Sequence, residues 1–332
     1  MVAILGVAGR GEGRLGFMKE VQPSFTDVEY GMRRRATRRE TFLTMMDEVI
    51  PWAEWVRLIE PHYYRGERGR RPRAIETMLR MYLLQVWFSL SDEGVEEAIY
   101  DSHAMRRFMR LDFSVEQAPD ATTLLHFRHL LEQHQLGKAL FAAQNRLFEE
   151  HGWVMRGGSV IDATLIAAPS STKNREKARD PEMHQTRKGN QWYFGLKAHI
   201  GADAGTGYVH TVTATAANVH DLDQAGALVR DDDRFAYTDA GYQGIEKRAD
   251  IIADPNLSKV EFRVAARKGI LKQMAAHDRA IDEHPFLVVK RDFGLRKIRY
   301  RGLAKNLNLL HVAFASANLL MRARAQALMA AA

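Results

Sequence analysis

Apolar residues recur at helical spacing through the first half of the chain and give way to strand-like runs in the second. Phe42, Met45, Met46, Val49 and Ile50 fall on one face of a helix that Pro51 ends. Met78, Leu79, Tyr82, Leu83 and Val86 do the same within a long helical pattern over 75–90. Ser91 and Asp92 can cap a helix running to Ile99, His103 to Arg110 reads as another, and Asp120, Thr122 or Thr123 can cap one through Leu131. Residues 30–152 therefore read as wholly helical, a pattern that a helix-turn-helix and a plain bundle share.

After Gly152 the period changes. The run 158–168, GSVIDATLIAA, has the β-branched content of a buried strand. A long polar and basic stretch, 169–190, reads as a loop, and two strands, 192–200 and 208–214, read as a hairpin across the turn GADAGTG. A helix from Asp221 to about Val229, a strand 235–239, a helix 244–253 and a strand 260–265 follow, then a helical stretch 276–293 and a last apolar helix 306–324. Three strands followed by alternating helices and strands predict an α+β fold: a ribonuclease H-like mixed sheet flanked by helices, spanning 153–325 and preceded by the helical domain.

The glycines Gly6, Gly9, Gly11 and Gly13 open no βαβ unit, and the short apolar run before them lacks the layout of a secretory leader, so residues 1–29 read as a disordered leader with Met18 as an alternative start. No apolar run approaches the roughly 20 residues of a membrane helix.

Charge sharpens the picture. The 48 Lys and Arg exceed the 41 Asp and Glu, and the excess is clustered. Arg33, Arg34, Arg35, Arg38 and Arg39 precede the first helix, Arg70, Arg71 and Arg73 precede the helix over 75–90, and 267–301 carries ten Lys and Arg against four acids. Such clusters beside compact helices predict contact with the phosphates of double-stranded DNA, here by a helical DNA-binding domain. The absence of cysteine removes disulfides and thiolate chemistry and fits a reducing cytoplasm, with nucleoid association following from the basic clusters.

Within the apolar run 158–168 stands one acid, Asp162. A buried carboxylate needs a cation or a set of hydrogen-bond donors, which suggests a metal ligand on a central strand. Asp239, in YTDAGY, falls at the end of another predicted strand, and open α/β sheets bind ligands at the carboxyl ends of their strands. Hard cations such as Mg²⁺ favour oxygen ligands, and carboxylates converging on a phosphate can hold two of them. His184, His199, His210 and His220 have no zinc-ligand spacing. Asn218, His220 and Asp221 can border the site or cap a helix, and Tyr242 can pack on the strand or position a ligand. Trp192 can stack on a base but is expected rather in the core.

The segments VIDATLIAAPSSTKN, DPEMHQTRKGNQWYFGLKAHIGAD, TAANVHD, TDAGYQG and EHPFLVVKRDFGLRKIRYRGLAKN, with IPWAEWVRLIEPHYY and FRHLLEQHQL upstream, resemble the DDE transposases of bacterial insertion sequences, specifically the insertion-sequence-five family. The resemblance runs from about Met18 to about Arg324. It implies that Asp162, Asp239 and Glu283 bind two Mg²⁺ ions, with Mn²⁺ as a substitute, and that the helical domain holds the terminal inverted repeats. It also implies a homodimer in the synaptic complex and joining of cut ends to target DNA. Around Glu283 the signature Y-x2-R-x3-E-x6-K places Arg279 and Lys290 in register, while Ala276 stands at the tyrosine position. Arg279, Lys290, Lys297, Arg299 and Arg301 are the expected DNA contacts of this segment. Two other classes remain open at this point: an impaired transposase acting as a DNA-binding repressor, and a ribonuclease H-like nuclease that cuts without joining.

Overall fold

The computed structural model describes residues 31–64, 71–264 and 285–331. Glu283, Arg279, Ala276 and Arg70 lie outside the described residues, as does the stretch 1–29. Among the described residues the first half holds the helices α1 (Arg38–Val49), α2 (Trp52–Ile59), α3 (Ile75–Phe88), α4 (Asp92–Asp101), α5 (His103–Met109), α6 (Ala121–Gln133) and α7 (Leu136–Glu150). Their starts follow local chemistry. Thr37 and Glu40 form a capping box on α1, and the side chains of Ser91 and Asp120 accept from the backbone of the first turns of α4 and α6. Helix α3 is apolar nearly all round and buried, which marks it as the bundle's axis.

The second half builds a six-stranded mixed sheet from β1 (Gly158–Ala167), β2 (His184–Lys188), β3 (Gln191–Asp203), β4 (Val209–Ala216), β5 (Phe235–Thr238) and β6 (Glu261–Val264). The strand order is β2-β3-β1-β5-β6, with β4 also on β3. Strand β3 runs antiparallel to β1, β2 and β4, whereas β5 and β6 run parallel to β1. Close approach matters at Gly195, where a Cβ would stand 2.1 Å from the Ile166 carbonyl oxygen across the β1–β3 ladder.

Helix α8 (Ala225–Leu228) follows a 3₁₀ turn, so the helix expected over 221–229 is broken in two. The helix expected over 244–253 is likewise divided, into a 3₁₀ turn and the short α9 (Ala249–Ala253). The stretch expected as a loop holds strand β2, whose residues lack apolar alternation and take their conformation from pairing with β3. Residues Val288–Asp292 form a π-helical turn, and α10 (Leu303–Ala331) closes the chain.

One apolar core runs through both halves. Leu140 and Phe141 of α7, Leu310 and Phe314 of α10, and Leu196, Ala198 and Ile200 of β3 belong to it. A smaller core on the other face of the sheet gathers Ile161, Leu228, Ala236, Tyr242 and Ile245. Asn318 of α10 ties the halves polarly: its Oδ1 accepts from Val209 N (2.8 Å) and its Nδ2 donates to Val209 O (2.7 Å) and Gln144 Oε1 (2.9 Å). Among the described residues no helix is long and apolar enough to cross a membrane.

Candidate active site

The parallel pairing of β1 and β5 ends at Ile161 opposite Thr238. The next residues are Asp162 and Asp239, so the register alone places two carboxylates side by side at the carboxyl ends of neighbouring strands, where open sheets bind ligands. Asp162 remains inside β1, half-buried, with Oδ1 accepting from Ala163 N (2.7 Å). Asp239 is exposed and caps a 3₁₀ turn, accepting from Gly241 N (2.8 Å). Burial pushes the Asp162 carboxyl up to about 7, an effect that the charges of Asp239 and Asp221 reinforce and that Ala163 N–H and Lys188 oppose.

Strand β1 outruns β5, and among the described residues no strand pairs with that edge beyond Asp162. The segment 290–298 covers that edge. Lys290 Nζ donates to Thr164 Oγ1 (2.6 Å) and Leu165 O (2.8 Å), and Ala167 exchanges backbone hydrogen bonds with Arg296 and Ile298, which flank Lys297. The π turn that carries Lys290 is closed by Phe293 N donating to Val288 O (2.9 Å), the wide turn found often at functional sites. Burial lowers the Lys290 pKa. Lys290, Arg296 and Lys188 line a cavity of about 250 Å³ with Thr164, Tyr193 and Phe194.

On the opposite face, Asp221 lies 3.0 Å from Lys197 Nζ and 3.7 Å from His199 Nδ1. Burial holds His199 down to about 4, so the cation facing Asp221 at neutral pH is the lysine. His220 acts as a cap, its Nδ1 accepting from Leu222 N (3.3 Å). The Tyr242 side chain is buried in the smaller core, and burial first, then the charges of Asp221, Asp162 and Asp239, raises its pKa strongly. Trp192, expected in the core, is 64% exposed, because it lies where β3 extends past both β1 and β4.

The remaining basic residues are dispersed. Arg299 turns toward the helices, Nη1 donating to Leu90 O (2.6 Å), and Arg301 pairs with Glu176. Arg73 pairs with Glu116 (3.4 Å), and Arg71 and Lys297 are exposed. Sequence reasoning missed Lys188 and Thr164. The TRK segment within a basic stretch signalled the first, and the period of two from Asp162 the second.

Two adjacent carboxylates, one held protonated to near neutrality by burial, are a donor set that a divalent cation suits. Among the described residues no three carboxylate or imidazole groups converge as a metal cage. The transposase DDE domain family matches residues 153–319, half of the chain, and the transposase domain family DUF772 matches residues 32–130. No solved structure matches.

Proposed function

The chain belongs to the insertion-sequence DDE transposases, and from that premise we propose that it cuts DNA at the ends of its element and joins the freed 3′ hydroxyls to target DNA. The observation that carries this reading is the side-by-side placement of Asp162 and Asp239. The strand order, with β3 antiparallel to β1, β2 and β4 and with β5 and β6 parallel to β1, supports a ribonuclease H-like fold. The sequence motifs support placement among the insertion-sequence-five elements.

Asp162, Asp239 and Glu283 would hold two Mg²⁺ ions, for which Mn²⁺ substitutes. When bound, such a pair activates an attacking oxygen and neutralises charge at the phosphorus. The other work belongs to the chain. Lys290 uses two of its three N–H groups on Thr164 and Leu165, which fixes its reach and leaves one for a phosphate oxygen. Lys188, Arg296 and Lys297 offer further positive charge along the same edge. Hydrolysis and joining are both in-line displacements at phosphorus, so one arrangement of acids and cations serves both steps. Arg279, Arg301 and the Arg70, Arg71 and Arg73 cluster extend the DNA contact, whereas Arg299 is engaged by the helical half, which holds the terminal inverted repeats. Joining two ends at once calls for a homodimer on DNA.

The test is cleavage of a labelled duplex carrying the element's terminal repeat, with and without Mg²⁺. Metal-dependent cutting at the repeat boundary, lost in Asp162→Ala and Asp239→Ala while binding persists, is the expected result. Cutting that survives both substitutions would end the proposal.

A further inference from the structure

The tip of the β2–β3 hairpin projects past β1 and β4. Four of the five β2 residues are exposed, Thr186 being the exception, and so are Gln191 and Trp192 at the start of β3. A strand pair in a sheet ordinarily buries one face, and this ribbon buries neither at its tip. Cross-strand pairing sorts its side chains. Arg187 pairs with Trp192 and Gln185 with Phe194, so Gln185, Arg187 and Trp192 share one face. Lys188 pairs with Gln191, and Lys188 lines the cavity with Lys290, Arg296 and Thr164, two residues beyond Asp162.

Charge and composition narrow the partner. From His184 to Phe194 the ribbon contains no acid. Arg187 bonds only within the turn, Nε to Gly189 O (3.0 Å) and Nη2 to Asn190 Oδ1 (3.3 Å), and neither it nor Lys188 forms an ion pair among the described residues. A two-stranded ribbon fits the DNA major groove, where arginine matches guanine, glutamine matches adenine and an apolar group meets the thymine methyl. The exposed face offers one of each.

Resting on the function proposed above, we propose that the β2–β3 ribbon enters the major groove of bound duplex DNA and reads base edges with Gln185, Arg187 and Trp192. Its place beside the cavity puts the base pairs it reads next to the cleavage site. The ribbon then adds base readout beside the cleavage site to the repeat binding of the helical half, while the lysines and arginines of the catalytic edge supply affinity for phosphate.

The experiment selects duplexes from a randomised pool with the full chain, then compares binding of the enriched duplex and a scrambled one at fixed salt. The Gln185→Ala/Arg187→Ala double variant and, separately, Trp192→Ala change exposed side chains, and circular dichroism checks that each folds. Each is expected to lose about tenfold in affinity for the enriched duplex while binding the scrambled duplex within about twofold of wild type. Unchanged discrimination in both, or a changed oligomeric state with unchanged discrimination, would overturn the ribbon's role and leave the transposase reading standing. A wild-type chain that retains no duplex at all would remove both.

Discussion

Replacing Asp162 by Asn should stabilise the protein, and by an amount that depends on pH. A carboxyl group that keeps its proton to about pH 7, against 3.8 in the unfolded chain, binds protons more tightly when folded. Stability is therefore lost as pH rises from about 4 to about 7, and the penalty is complete above that. At about 1.4 kcal/mol per pH unit it amounts to roughly 2 kcal/mol at pH 5 and about 4 kcal/mol at pH 8. The amide of Asn keeps an oxygen for the Ala163 N–H and carries no charge. Thermal midpoints of wild type and variant should thus separate by about 10 °C at pH 8 and by about half as much at pH 5. Asp239→Asn should give a smaller gain, because burial outweighs the Asp239 charge among the causes. Millimolar Mg²⁺ should raise the wild-type midpoint and leave that of Asp162→Asn unmoved. Equal separation at both pH values, or a destabilised variant at pH 8, would refute the reasoning.

Lys290→Met should lower strand cleavage by about tenfold or more, since hydrogen bonds to charged groups contribute about 1.5–3 kcal/mol. It should also reduce the log–log salt slope of DNA binding by about one, and an unchanged slope would exclude a phosphate contact. Asn318→Ala leaves the buried Val209 and Gln144 groups without their partner, which should cost at least about 3 kcal/mol in denaturant titrations at about 1–3 kcal/mol per stranded group. A loss below about 1 kcal/mol would show that water replaces the amide.

Asp162 was legible in the sequence because an acid inside an apolar, β-branched run has few reasons to be there, and Asp239 because it ends a second such run. The change from helical to strand periodicity near Gly152 reads as clearly, since each period follows from backbone geometry. Strand β2 was not legible, because its residues are polar throughout and become a strand only by pairing with β3. Trp192 misled for the opposite reason: an aromatic residue predicts burial, but β3 extends past β1 and β4 and leaves the side chain in solvent.

The sequence by itself picked out which residues are candidates for the chemistry, since an acid's local context is contained in a few neighbours. Only the tertiary structure decided how they meet. The one-residue register that sets Asp162 beside Asp239 comes from strands separated by three further strands, a 3₁₀ turn and a short helix. The seating of Lys290 on Thr164 and Leu165 joins positions 126 and 125 residues apart, because β1 outruns β5 and its free edge must be satisfied by whatever segment packs there. The burial that holds the Asp162 carboxyl near neutrality is likewise a property of the assembled sheet and the cores on its two faces.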